Sequence, residues 1–268
     1  MSEVKRPHAA PAGSQPPEGA LSGFGRPGAA EVKKAHDTAS LSKGGLVIVW
    51  TDIPANLDGE FNDWYNREHA ADRVLGVPGY ISGRRFVAIS DGPRYLAVYR
   101  TVDMEVFRSE AYLDLQRMPD ERSRRLIPQF LNTIKGVCNV FADHGAAEGA
   151  YMAVIPLDMS GCDLHAFREL MDQDILPKVL ASENIVSAYA ARADAAIASM
   201  VASQVLRQGD AFVDGVIIIE GTSLAAVVAV LPLIDEHVLA THNVAASRKP
   251  SLFSHMMSLH PRPRSYRS

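Results

Sequence analysis

The chain has 268 residues, of which 47% are hydrophobic and 22% charged, and its formal net charge is -4. This is the composition of an ordinary globular protein, one large domain or two small ones. The lack of basic excess argues against nucleic acid or an anionic membrane as a partner. No apolar run approaches the roughly 18 residues of a membrane span, and the most apolar region, 213–232, is broken by Glu220-Gly221-Thr222-Ser223. Cys138 and Cys162 have neither metal-ligand nor Cys-x-x-Cys spacing, which fits a reducing, cytoplasmic setting.

Residues 1–43 hold five prolines and five glycines and few large apolar groups, so a flexible N-terminal arm is expected. The arm lacks a basic start followed by an apolar block, so no secretory signal is expected. Leu46 to Asp52 is short, β-branched and apolar on both faces, the pattern of a central strand. A helix is predicted from Leu57 to Leu75, ended by Val77-Pro78-Gly79. Strands at 80–89 and 94–101, a helix at 104–116 and a strand at 133–141 follow. The order β-α-β-β-α-β is that of a ferredoxin-like unit.

The order then repeats: strand 150–157, helix 164–180, strand 185–195, an ambiguous, helical stretch 196–207, strand 213–220 and helix 223–230. Residues 237–246 read as a final strand or an irregular end. A shift of about 106 positions places Asp52 on Asp158, Phe61 on Phe167, Trp64 on Leu170, Tyr65 on Met171, Glu68 on Asp174 and His69 on Ile175. This is a divergent tandem duplication. Each unit leaves one sheet face bare, and two units can bury those faces together. The expected fold is therefore α+β: two tandem ferredoxin-like units packed as a pseudo-dimeric α+β barrel. Residues 44–147 form the first unit and expected active half, 148–248 the second, and 249–268 a C-terminal tail. The barrel does not require chains to pair, though it leaves room for a homodimer.

The helix 57–75 carries the candidate chemistry. At about 100° per residue, Leu57, Phe61, Trp64, Ala71 and Leu75 share a stripe, and Glu68 falls in its middle. A carboxylate there would have a raised pKa suited to proton transfer; the alternative is an ion pair with Arg84 or Arg85. Tyr65 lies on one shoulder, with His69 further round. Trp50, Trp64, Tyr65 and Tyr99 would either line a pocket for a flat ligand or simply fill the core. Arg85 shares a strand face with Ile81 and Val87, from which it could reach the helix layer and bind an anionic oxygen or Glu68. Asn62 is a weaker candidate donor. Asp52 has Asp158 as its counterpart, which favours a turn or cap role. No metal-site spacing, phosphate-binding glycine loop or Gly-x-Ser-x-Gly elbow is present.

The runs Trp50-Thr51-Asp52-Ile53-Pro54, Glu60-Phe61-Asn62-Asp63-Trp64-Tyr65-Asn66-Arg67-Glu68-His69 and Val77-Pro78-Gly79-Tyr80 resemble the dimeric α+β barrel superfamily, and within it the EthD-like proteins. The match covers about residues 45–103 well and the second half by architecture. That superfamily includes cofactor-free monooxygenases, muconolactone-type isomerases, polyketide cyclases, dehydratases and haem-binding branches, so the resemblance implies a fold rather than one reaction. It implies that His69 borders a ligand cavity. Leu170, Met171 and Ile175 depart from the pattern in the second half, so one cavity per chain is expected. In a haem-binding branch, His237 would be the histidine to approach the iron. The expected function is cofactor-independent proton transfer on a small aromatic, polyketide-like or lactone substrate. It would be of lyase, isomerase or dehydratase type, with monooxygenation as a variant. His69 or Glu68 would act as the proton carrier, with Tyr65 and Arg85 stabilising an oxyanion. Trp50, Asn62, Trp64, Tyr99 and Asp52 would contact the substrate. The alternative is a non-catalytic hydrophobic-ligand or partner-binding protein.

Overall fold

The computed structural model describes residues 43–202 and 209–261. Apart from Lys43, the expected N-terminal arm lies outside the described residues, as does the end of the stretch 196–207.

Strand β1, Gly45–Asp52, leads into helix α1, residues 58–74. Strands β2, Tyr80–Ala88, and β3, Tyr95–Thr101, follow, then helices α2, Glu110–Arg117, and α3, Glu121–Leu126. Strand β4, Leu131–Gly145, completes the first half. The second half repeats this order with β5, Tyr151–Asp158; α4, residues 164–180; β6, Ile185–Ala193; α5, Ala195–Ala202; a short β7, Ala211–Phe212; β8, Gly215–Gly221; and α6, Leu224–Val230. Then come α7, Glu236–Ala240, a short β9, Ala245–Ala246, and β10, Ser251–Leu259. The last barrel strand thus lies at 251–259, in the stretch read as a tail, and 237–246 supplies only a helical turn and a two-residue strand. The mixed sequence of the 251–259 strand, Ser-Leu-Phe-Ser-His-Met-Met-Ser-Leu, and a register shift between His255 and Met257 obscure the period-2 pattern.

The strands run in the order β1-β3-β2-β10-β5-β8-β6-β4, and β4 pairs back onto β1, closing the barrel. Each half contributes its strands in the same order, and β10–β2 and β4–β6 are the seams between halves. Closure removes the exposed edges that an open sheet would present. Alternation along the strands sorts side chains into two layers. Leu46, Ile48, Trp50, Phe86, Val98, Met152, Ile218 and Phe253 pack inside the barrel. The opposite face of each half carries its helices: α1 through Phe61, Trp64 and Val74, and α4 through Phe167, Met171 and Val179. Full burial of a side chain such as Phe61 or Phe167 contributes about 1.5–3 kcal/mol.

The two halves share a further detail. Both long helices contain a π-helical turn, Tyr65–His69 in α1 and Met171–Ile175 in α4, at equivalent positions. Both are followed by a residue of positive φ before the next strand, Gly79 in one and Asn184 in the other. Gly83 on β2 lets α1 approach closely, since a Cβ there would meet Val74 and Tyr99 at 2.7 and 2.8 Å.

Candidate functional site

Helix α1 is pinned to the sheet at its start. The Tyr95 hydroxyl donates to Asp58 at 2.7 Å, and Asn62 donates to the Tyr95 hydroxyl at 2.9 Å. On its outer side, Arg122 of α3 reaches Glu68 at 2.5 Å and Asp63 at 3.2 Å, and Arg125 pairs with Glu60. Helix α3 is itself capped by Asp120, which accepts from the Ser123 N–H at 2.8 Å.

The π-turn decides which side chains face inward. The Ala70 N–H bonds the Tyr65 carbonyl five residues back, so the turn holds one residue more than an α-turn. His69 thereby takes the inward place that a straight helix gives to Glu68. Tyr65 and His69 are buried, whereas the Glu68 side chain is 43% exposed and paired with Arg122 rather than with Arg84 or Arg85. Asp174, its counterpart, is likewise on the surface, paired with Lys178 at 2.7 Å. Glu68→Gln should therefore change stability by no more than about 1 kcal/mol and leave ligand binding in the cavity unaltered. Loss of ligand affinity in a titration of that variant would contradict this placement.

Beside His69 lies a cavity of about 400 Å³ between α1, α2 and α3 and the outer faces of β1 and β4, with Ala198 and Gly209, Asp210 and Phe212 also on its wall. Val47, Val49, Val137, Ile127 and Phe130 supply apolar walls, while Tyr65, His69, Arg73, Tyr99, Tyr112 and Lys135 supply polar ones. A partly apolar cavity of this size with a few convergent polar groups is typical of a small-molecule site.

The His69 ring sits 4.3 Å from the Trp64 ring and 4.6 Å from the Tyr65 ring. Burial, followed by the positive charges of Arg73, Arg85 and Lys135, holds it well below its ordinary value of 6.5, so it is neutral at pH 7. The unfolded chain consequently takes up this proton more readily than the folded one. Stability is complete above pH 6.5 and falls as the pH drops below it, by up to about 1.4 kcal/mol per pH unit. His69→Gln should remove that component. Urea unfolding at pH 7.5 and pH 5 should show a shallower acid loss in the variant, and equal losses would contradict a neutral buried His69.

The phenols of Tyr99 and Tyr112 stay protonated. Burial, then the neighbouring Tyr65, pushes Tyr99 well above the usual phenol range, and burial raises Tyr112. Arg73 donates to the His69 carbonyl at 3.0 Å. Burial opposes its charge, but the phenols of Tyr99, Tyr80, Tyr65 and Tyr112 more than offset this, and its pKa is raised. Lys135 is paired with Asp210 at 2.5 Å.

Of the residues singled out from sequence, His69, Tyr65 and Tyr99 meet at this cavity. Trp64 packs behind His69 as its support. Arg85 reaches the helix layer but not the cavity: its guanidinium lies 4.3 Å from the Tyr65 ring centroid and donates to Asn66 at 2.5 Å. Trp50 points into the barrel, because β1 alternates and Val47 and Val49, not Trp50, face the helices. Asn62 serves the Asp58–Tyr95 cluster. Asp52 accepts from the Arg94 N–H at 2.6 Å and from Asn132 at 2.8 Å, a loop-holding role. Arg73, Tyr112 and Lys135 were not singled out. Arg73 was within reach of sequence reasoning, since it lies four residues beyond His69 on one helix face.

In the second half, Phe167, Met171 and Ile175 pack on Ile217 and Ile219 where the first half has its polar groups. His237 is exposed on α7 and does not line the cavity. Among the described residues no group of three His, Cys, Asp or Glu side chains could hold a metal ion, and no helix is long and apolar enough to cross a membrane.

No family model and no curated protein matches the sequence. Among solved structures, the chain is similar to a candidate monooxygenase from Fusobacterium nucleatum, at 12% identity and a TM-score of 0.51, over 81% of this chain and 94% of that one. It is similar to an anthrone oxidase-like protein at 9% identity and a TM-score of 0.52, over 84% and 97% of the two chains. A candidate chlorite dismutase matches at 12% identity and a TM-score of 0.51, over 81% and 96%. At these identities the likeness is one of fold. The chain has the dimeric α+β barrel fold, with both halves of the barrel supplied by one polypeptide.

Proposed function

We propose that this protein is a cofactor-independent enzyme that moves a proton on a small aromatic or polyketide-like carbonyl compound bound in the first-half cavity. The observation that carries this reading is a neutral, buried His69 on the wall of a largely apolar cavity that also holds protonated phenols. A neutral imidazole can accept a proton from a carbon or hydroxyl next to the carbonyl. Tyr99 and Tyr112, protonated at neutral pH, can donate to the oxyanion that forms. Return of the proton to another carbon gives isomerisation, and loss of a leaving group gives elimination. Reaction of the carbanion with dioxygen is the oxygenase variant, which the names of the monooxygenase and anthrone oxidase-like neighbours support.

Tyr65 flanks His69 in this reading, and Trp64 and Arg85 hold that pair in place from behind. Glu68 has no part in the chemistry. Membership of the EthD-like group and origin by tandem duplication belong to the same proposal, supported by the repeated element order and the paired π-turns. Free Cys138 and Cys162 support a reducing, cytoplasmic compartment.

A thermal-shift screen of aromatic acids, lactones and phenolic ketones against the native protein and His69→Ala tests the reading. A compound that stabilises the native protein and loses that effect in the variant is the expected result. Stabilisation that survives the substitution unchanged would favour a hydrophobic-ligand carrier instead.

A further inference from the structure

We infer that the ligand of this cavity carries a carboxylate, and that Arg73 receives it. The inference rests on the first-half cavity being the active site, and it adds the substrate class. Arg73 is the starting point. It lines the cavity, and among the described residues its guanidinium hydrogen bond is to a backbone carbonyl, that of His69, with no carboxylate in an ion pair with it. The neighbouring acids are otherwise placed. Asp210 is paired with Lys135, Asp120 caps α3 through Ser123, and Glu68 is turned outward onto Arg122. Asp72 lines the rim and feels the Arg73 charge but makes no ion pair with it.

Arg73 is thus a cation at an apolar-walled site with most of its donors uncommitted. A guanidinium has five N–H donors in a planar fork matched to a carboxylate. An oxyanion that exists only during reaction needs one or two donors, and the phenols can supply them. A full, permanent charge is better matched by a permanent charge on the ligand. The second buried cation nearby, Arg85, is stacked on Tyr65 and likewise lacks a carboxylate partner among the described residues. Arg73 and His69 are one helical turn apart on the same face, which would put the ligand carboxylate near the proton to be moved.

Binding of 2-naphthoate and of its neutral isostere 2-naphthamide, measured by calorimetry on the native protein, Arg73→Met and His69→Gln, tests this. The native protein should bind the acid about 10- to 100-fold more tightly than the amide. Arg73→Met should abolish the preference, weakening the acid far more than the amide. His69→Gln should keep it. Equal binding of acid and amide by the native protein, or a preference that survives Arg73→Met, overturns the inference. If proton transfer to His69 is still observed in that case, only the substrate class falls. If neither compound binds the native protein and no other compound binds the cavity, both the substrate class and the active-site assignment fall.

Discussion

His69→Gln should lower kcat by about 100- to 10,000-fold on any substrate found through the cavity, the range expected for loss of a general base. Glutamine retains the size and hydrogen-bonding capacity of the imidazole, so the contacts with Trp64 and Tyr65 can persist. What it lacks is a basic nitrogen. KM should change little, because the apolar walls formed by Val47, Val49, Val137 and Phe130 remain. In the native protein, kcat/KM should rise with pH through a value well below 6.5 and then level off, as expected of a base held neutral by burial and by Arg73, Arg85 and Lys135. The rising limb should vanish in the variant. A kcat within a few-fold of the native value, or an acid limb that survives the substitution, would remove His69 from the chemistry.

The largest effect on stability is expected at Arg84. This side chain is inside the barrel on β2 and meets Glu220 of β8 through two hydrogen bonds of 2.7 and 2.8 Å, with both residues almost fully buried. Gly149 adds an N–H donor to Glu220 at 2.9 Å and accepts from Arg84 at 3.2 Å, and half-exposed Glu148 stands 3.3 Å from Arg84. The pair joins strands from different halves. Arg84→Met would leave the Glu220 carboxylate buried with one backbone donor, which should cost about 3–5 kcal/mol. In a chain of this size that corresponds to a fall in Tm of about 6–20 °C. The double variant Arg84→Met/Glu220→Met should recover most of the loss, because an apolar pair of similar volume carries no unpaired charge. Calorimetric scans of the two variants check both statements. A double variant no more stable than the single one would show that the pair does more than satisfy its own burial.

The order of most strands and helices was legible in the sequence, because the β-branched run of β1, the alternation along β2 and the 3.6-residue stripe of α1 are strong local signals. The pseudo-symmetry was also legible, since Phe61 and Phe167 mark equivalent helices. The π-turn was not. A single extra residue in a helical turn carries no compositional signature, yet it moves Glu68 to the surface and His69 to the cavity. Trp50 could have been placed correctly by following alternation from Val47 and Val49. Lys135 and Asp210 lie far apart in sequence and meet only through the barrel, so no local pattern could have linked them. The strand at 251–259 was hidden by its serines, histidine and methionines, most of them half-exposed, with Phe253 alone fully buried inside the barrel.

The most direct test of the proposed active site is exchange of the α-hydrogens of a naphthyl ketone for deuterium, followed by NMR, with the native protein and with His69→Gln at pH 7. If His69 accepts a proton from a ligand in this cavity, the native protein should speed exchange above the buffer rate, and the variant should bind the same compound without speeding it. Exchange at the buffer rate with both proteins, or equal acceleration by both, would contradict the assignment of His69 as the base.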